Sequence, residues 1–386
     1  MSEITVCTPP DQSHYARFAR ASRIASFMLG LVAASLTFTL NGVASESELL
    51  NVGVLLPPEE PQLQSIRDGI LLAEQHLNLG SNGPVHVSMR GRVGQWGADA
   101  VEAARLVDDE GAAGLIAPPG GAASHLVLQV SGRTAVPVVT LCADSSVEHT
   151  GVPWVLRVGP RTEDEAVCIF RGAFSTNSGR DRHWVAFVPN QRAGREIGND
   201  LKRAALTCCC SLDRVVEVSS ITNVEETLAH ALSSRPEALL FWLPPRQAGA
   251  LVKIVQGRGY TGPLAGPGPL QTAEFLESAG KAADGFAVAA IASIPDDRFT
   301  LFEVAYKERF GREADLMAAL SYDAVMLFSD LLRRREFQDP PHRVPADYCW
   351  PGLTGQISFD SHGNRRVRLE LLHVSSGRFV PVGQRN

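Results

Sequence analysis

The order of apolar segments predicts an α/β fold with parallel sheets, arranged as two units in tandem. Three observations carry that expectation. Short apolar runs bounded by turn residues alternate with stretches whose apolar residues recur at helical spacing. The runs are continuous, as suits strands covered on both faces, and do not alternate with polar residues. The alternation also restarts after a connection over residues 154–162, which divides it into two series.

In the first series, residues 49–56 form a strand and 65–79 a helix, with Ile66, Ile70, Ala73 and Leu77 on one face and Gly80-Ser81-Asn82-Gly83 as its stop. A strand over 85–90 leads to a helix over 98–110 whose buried stripe is Ala100, Ala103, Ala104 and Val107. Then come the strand Gly114-Leu115-Ile116, a helix over 123–131 and the strand Val136-Pro137-Val138-Val139-Thr140. Strict alternation of this kind makes a parallel sheet covered on both faces.

Residues 152–158 form a further strand. The helix that follows carries Glu163, Asp164 and Glu165 in its first turn, where the helix dipole favours acids. Strands over 184–189, 215–218, 238–243, 263–265 and 285–291 then accompany helices over 194–206, 224–232 and 247–256, the last with Ala248, Leu251, Val252 and Val255 facing inward. Two more helices span 298–310 and 316–334. Beyond a Pro-rich passage at 339–345, residues 355–359 and 366–372 read as the arms of a hairpin around Asp360-Ser361-His362-Gly363-Asn364.

At 386 residues, 45% hydrophobic and 20% charged, the chain holds material for two cores of ordinary size. Its formal charge of -6, from 36 basic and 42 acidic residues spread along the chain, leaves no basic stripe, which argues against a nucleic-acid partner. Residues 1–45 differ from the rest. Arg17, Arg20 and Arg23 precede an apolar run over 24–40, and Gly42-Val43-Ala44-Ser45 follows it. This is the layout of a secretory signal, with cleavage near Ala44 or Ser45 and a periplasmic product. The 17 residues of the run lie near the lower limit for spanning a bilayer, so a leader that is not cleaved would anchor the protein to the membrane. No Cys just after the run offers a lipid anchor.

Cys7 leaves with a cleaved leader, while Cys142, Cys168, Cys208, Cys209, Cys210 and Cys349 remain as structural thiols or as one or two disulfides. The cysteines and histidines lack zinc spacing, and neither metal nor cofactor is expected.

Two loops open at neighbouring strand ends: Ala117-Pro118-Pro119-Gly120-Gly121-Ala122-Ala123-Ser124 and Thr140-Leu141-Cys142-Ala143-Asp144-Ser145-Ser146. Ligands of open α/β sheets sit outside the carboxyl ends of strands, where small residues let them approach the backbone. Gly120 and Gly121 also present N–H groups at a helix start, where the dipole adds attraction for an anion.

An ordered set of strings resembles the type I periplasmic solute-binding proteins of ABC transporters, in particular the branched-chain amino acid binding (leucine/isoleucine/valine-binding-like) group. The strings are Asn51-Val52-Gly53-Val54-Leu55-Leu56-Pro57, Asp68-Gly69-Ile70-Leu71-Leu72-Ala73, Ala113-Gly114-Leu115-Ile116-Ala117-Pro118, Val136-Pro137-Val138-Val139-Thr140, Leu156-Arg157-Val158-Gly159-Pro160, Ala319-Leu320-Ser321-Tyr322-Asp323-Ala324-Val325 and Gly352-Leu353-Thr354-Gly355-Gln356-Ile357-Ser358-Phe359-Asp360. None is specific alone; their order is. The resemblance implies two Rossmann-like lobes with parallel sheets, joined by three hinge crossings and closing on a ligand. Lobe one would comprise residues 46–162 and 294–348, lobe two 163–293 and 349–386, with crossings near 159–162, 290–294 and 347–352.

In such relatives an amino acid carboxylate is held by hydroxyls and amides of these two loops. Here the first loop offers the backbone of Gly120 and Gly121, plus Ser124 if it reaches in. In the second, Thr140, Cys142 and Ala143 precede Asp144, which stands where the family commonly has a Thr. A carboxylate there repels a carboxylate ligand and suits an amide, amine or cation. In the second lobe Ala193 replaces the aromatic that relatives place before Gly194, and Trp242 ends a strand from which it could face the cleft. No counterpart of the acid that holds the amino group is evident.

Other motifs have plainer readings. Gly257-Arg258-Gly259-Tyr260-Thr261-Gly262 follows a helix and precedes a short strand, the reverse of a dinucleotide site, and reads as a helix stop. His125 beside Ser124 lacks a nucleophile turn. Asp108-Asp109-Glu110 and Arg333-Arg334-Arg335 read as solvated helix ends, and Trp154, Trp242 and Trp350 as packing residues by default. The expected function is therefore a non-enzymatic, monomeric receptor. It would pass a small polar solute to the permease subunits of an ABC importer. A ligand-binding sensor module of a regulator or membrane receptor is the alternative on the same fold.

Overall fold

The computed structural model describes residues 49–57, 62–80, 83–91, 97–172, 183–219, 224–292, 297–337, 344–345 and 347–382. The secretory leader read from residues 1–45 lies outside them. Among the described residues no helix is long and apolar enough to cross a membrane.

The first sheet contains β1 (Leu50–Leu56), β2 (Val85–Gly91), β3 (Gly114–Ala117), β4 (Val138–Thr140) and β5 (Val155–Arg157). Its order is β2-β1-β3-β4-β5 and every pairing is parallel. Helices α1 (Leu63–Leu79), α2 (Ala98–Asp108) and α3 (Gly121–Thr134) connect these strands. Val52 and Val54 point to one face and Leu55 and Leu115 to the other, all nearly inaccessible to solvent. This two-sided burial is why the strands read as continuous apolar runs.

The second lobe begins with α4 (Thr162–Gly172) and β6 (His183–Pro189). Then follow α5 (Arg192–Thr207), β7 (Ser211–Val218), α6 (Val224–Leu232), β8 (Ala238–Phe241), α7 (Pro245–Gly257), β9 (Leu264–Pro267), α8 (Ala273–Ala279) and β10 (Ala287–Ile291). The chain then returns to the first lobe through α9 (Asp297–Phe310) and α10 (Leu316–Arg333), which bring Phe302, Tyr306, Leu320, Val325, Leu327 and Phe328 into its core. Gly69 makes that return possible, since a Cβ at this position of α1 would stand 2.3 Å from the Ala318 carbonyl oxygen of α10.

After α10 come β11 (Cys349–Gly352), β12 (Gly355–Ser358), β13 (Leu369–Ser375) and β14 (Arg378–Pro381). The second sheet runs β14-β13-β10-β9-β8-β6-β7, parallel from β7 to β10 and antiparallel at β13 and β14.

This C-terminal stretch corrects the reading from sequence in two ways. The hairpin is β11 with β12, whereas Phe359 and Arg365 meet only at an isolated bridge and β13 pairs with β10 and β14. Residues 349–359 also pack on lobe one and not lobe two, with Ile357 and Phe359 in its core and Trp350 and Leu353 against it. The cause is Asp323 of α10. Its buried carboxylate accepts from Leu353 N at 2.7 Å, Thr354 N at 2.9 Å and Thr354 Oγ1 at 2.6 Å, which ties the hairpin turn to the helix.

The crossings are laced by two buried guanidinium groups. Arg157 Nε donates to Asn364 Oδ1 at 3.0 Å and its Nη1 to the Cys142 carbonyl, while Arg157 N donates to Gly363 O at 2.8 Å. Arg365 donates to Val158 O at 3.0 Å and to Thr354 Oγ1 and O at 2.8 and 2.7 Å; burial pushes its pKa down to about 10. Just past the first crossing, within the second lobe, Glu165 of α4 is 3% exposed and accepts from Gly268 N at 2.8 Å, in the turn after β9. Burial pushes its carboxyl up to about 8, and the charge of Asp164 adds to the effect.

Two stability tests follow from this packing. Gly69→Ala forces α1 and α10 apart, an overpacking cost of about 1–3 kcal/mol that exceeds the ~1 kcal/mol gained in helix propensity, so the urea midpoint falls. For Glu165, the folded protein holds its proton more tightly than the unfolded chain. Its stabilising contribution is complete below the ordinary value of 4.5 and is lost as pH rises through about 8. Glu165→Gln keeps the acceptor for Gly268, so melting curves should show the variant more stable than the parent at about pH 8 and less sensitive to pH above about pH 5.

Candidate ligand-binding cleft

The two small-residue loops stand at the carboxyl ends of β3 and β4, with β4 flanked by β3 and β5. Gly120 is the N-cap of α3 and Gly121 its first residue. Ser124 is fully buried, and its Oγ donates to Pro118 O at 2.6 Å and lies 3.3 Å from Thr140 Oγ1. Thr140, also fully buried, accepts from Cys142 N at 3.0 Å. These two hydroxyls therefore fasten the loops to each other. Cys142 is 1% exposed; its Sγ accepts from Asp144 N at 3.4 Å, and burial pushes the thiol up to about 12. Ala143 is half-buried and accepts from Thr162 N at 3.0 Å, joining the second loop to the start of α4.

Asp144 caps the 3-10 turn Ser145–Thr150, its Oδ1 accepting from Ser146 N at 2.9 Å. Its Oδ2 is buried and has no hydrogen-bond partner among the described residues. A Cβ built on Gly121 would lie 2.5 Å from that oxygen and 2.8 Å from Glu196 Oε2 of α5. Carboxylates from both lobes thus converge on the first turn of α3, and only glycine leaves them room. Glu196 also pairs with Arg192 at 2.7 Å. One helical turn onward, Asp200 reaches across the cleft and accepts from Ser145 N and Ser145 Oγ at 3.3 and 3.2 Å. The lobes are in direct contact at this point.

The residues expected at the second-lobe wall behave differently. Ala193 is exposed at the start of α5, one turn ahead of the convergent acids. Trp242 is 6% exposed and belongs to the core beneath α4 and α5, packed with Trp184, Leu201 and Leu240. Its place is in the lobe interior, because the residue after β8 still follows the inward face of the sheet. Trp154 donates to Ser131 Oγ at 2.9 Å, and Trp350 packs against the first core.

Ser145, Glu148, Arg157, Glu165, Glu196, Asp200 and Asn364 were not among the residues read from the sequence as site candidates. Glu196 and Asp200 carry a usable signal: two acids four apart lie on one helix face, on a helix that leaves the carboxyl end of a strand. Glu148 accepts from Asn364 Nδ2 at 2.5 Å and lies 3.5 Å from Arg161, which also holds Asp164 at 2.8 Å. This chain of contacts runs from the cleft loop through the crossings to α4.

The arrangement offers hydrogen-bond acceptors and little positive charge not already paired. Among the described residues no group of three or more His, Cys, Asp or Glu side chains is placed to hold a metal ion, and no disulfide is formed. His125 Nε2 lies 2.8 Å from Ser146 Oγ, away from the inward-turned Ser124.

The fold has clear counterparts. The model of the periplasmic binding protein family matches residues 58–343. A leucine-binding protein, LivK, from Thermotoga maritima is 20% identical, with a TM-score of 0.71 over 86% of this chain and 97% of that one. The branched-chain amino acid binding protein LivJ from Streptococcus pneumoniae, in complex with isoleucine, is 14% identical at a TM-score of 0.70, covering 86% and 98%. An ABC-transporter solute-binding protein from Rhodopseudomonas palustris, in complex with 3,4-dihydroxybenzoic acid, is 18% identical at 0.72, covering 86% and 96%. No curated protein matches by sequence. With its two lobes, its laced crossings and a family match over most of its length, the chain belongs to the type I periplasmic binding proteins.

Proposed function

We propose that this protein is the extracytoplasmic solute receptor of an ABC importer. It captures a small polar ligand between its lobes and presents it to permease subunits as a monomer, without bond chemistry of its own. The observation that carries the ligand class is the convergence of Asp144 and Glu196 on the first turn of α3. A helix start is ordinarily a good site for an anion. Here the chain's own carboxylates occupy that position, so a ligand carboxylate would meet two like charges. An amide, an amine or an amino acid whose amino group faces this turn fits instead, because each brings N–H donors to unfilled acceptors.

The structural relatives bind leucine, isoleucine and a dihydroxybenzoate. Their spread of chemistry supports a scaffold that accepts different small solutes by changing loop residues. In this chain Gly121, Asp144 and Ala193 depart from the family pattern, and with Glu196 beside Gly121 they shift the preference away from free acids.

Differential scanning fluorimetry with amines, amides, amino acids and simple carboxylic acids tests the reading. A rise in melting temperature with an amide, amine or amino acid is expected; no shift with any compound, or the largest shift with a simple acid, overturns it. Asp144→Thr removes the like charge and supplies a hydroxyl. Isothermal titration should then show the preference moving toward free carboxylates by about tenfold, the equivalent of about 1.4 kcal/mol.

A further inference from the structure

The contact between the lobes is made by a carboxylate that must leave water to form it. Asp200 is 2% exposed in this closed arrangement, and its Oδ2 accepts from Ser145 N and Ser145 Oγ of the opposite lobe. Parting the lobes returns the group to solvent. Its charged surroundings come from every side. On its own helix, Arg203 bonds Oδ1 and Glu196 stands one turn earlier. From the first lobe come Asp144 beside Ser145, and His125 bound to Ser146. From α4, Glu163 lies 3.4 Å from Arg203 and competes for its charge.

We propose that Asp200 is a proton-gated latch: closing the lobes takes up a proton at this carboxylate, so acid favours the closed form. With the proton on Oδ1, the carbonyl Oδ2 still accepts both hydrogen bonds from Ser145, and Arg203 turns from Oδ1 to Glu163. Arg203 opposes the proton, but Glu163 shares it, and Asp144 presses from the other side.

The direction follows from the surroundings. Burial pushes the Asp200 carboxyl up to about 6 and Asp144 adds to this, against the pull of Ser145 and Arg203. Open to water, the group returns toward its ordinary value of 3.8. The gain on closing is thus complete below about 3.8 and is lost as pH rises through about 6, giving closure about tenfold more favourable at pH 5 than at pH 7. The device rests on the closing of the cleft and not on the identity of its ligand.

Single-molecule fluorescence transfer on ligand-free protein tests it, with dyes at positions 79 and 206. Leu79 of α1 and Leu206 of α5 are 70% and 79% exposed and lie on opposite lobes. The closed-to-open ratio is expected to rise about tenfold from pH 7 to pH 5 in the parent. Asp200→Asn keeps an acceptor without a charge and should hold a ratio independent of pH, at least as high as the parent at pH 5. Asp200→Ala lacks the acceptor and should stay low at both. Ser145→Ala leaves the carboxylate in place and should lower the ratio while keeping its pH slope, which secures the test if an Asp200 variant fails to fold. A flat parent ratio, an Asn variant that still follows pH, or a closed state populated at neither pH overturns the proposal. Because no ligand is added, failure here leaves the proposed ligand class standing, and failure of that class leaves the latch standing.

Discussion

The guanidinium of Arg157 ties together segments that the chain visits far apart. It reaches the Cys142 carbonyl in the second cleft loop and Asn364 in the segment between Phe359 and β13, where the chain makes its last crossing and not near 347–352 as expected, from a strand that runs directly into the first crossing. A buried cation without such acceptors would cost several kcal/mol. Its position therefore fixes theirs: the loop cannot drift from β5, nor the last crossing from the first. Arg365 repeats the device a few residues away, on Val158 and Thr354. Hinge segments that are otherwise irregular backbone thereby become a defined axle about which two rigid lobes can turn.

The cleft is arranged around a second constraint, the excess of acceptors over donors. Ser124 and Thr140, hydroxyls that could have served a ligand, are spent on each other and on the backbone. Among the described residues the carboxylates of Asp144, Glu196 and Asp200 stand where the lobes meet, and the α3 dipole offsets part of their mutual repulsion. Under the proposed function, recognition and closure share these groups, which are contiguous on α5 and on the turn after β4.

Much of the fold was legible in the sequence because its strands are buried on both faces and its helices on one. Val52, Val54, Leu55 and Ile116 leave no ambiguity of period, and Ala248, Leu251, Val252 and Val255 mark one stripe of α7. The family strings added the return of α9 and α10, which periodicity alone could not place. The hairpin partner was not legible, since arms on either side of Asp360 satisfy the same turn pattern and only Asp323, on a helix far back in the chain, selects β11 with β12. Within the site, Gly121 and Asp144 could be named from their loops. The inward turn of Ser124, the burial of Trp242 and the approach of Glu196 depend on how elements pack, which no local pattern encodes.

The return of α9 and α10 has a consequence for how the molecule is made. Residues 50–157 supply all five strands of the first sheet, yet one face of that sheet is covered largely by residues 302–331. A chain emerging from its N-terminus therefore finishes the second sheet's parallel strands before the first lobe has a complete core. Contacts of such sequence separation close slowly, and until they form, Val52, Val54 and Ile116 have only the cover of α1 and lack that of α9 and α10. Folding of lobe one is bound to follow synthesis of nearly the whole polypeptide.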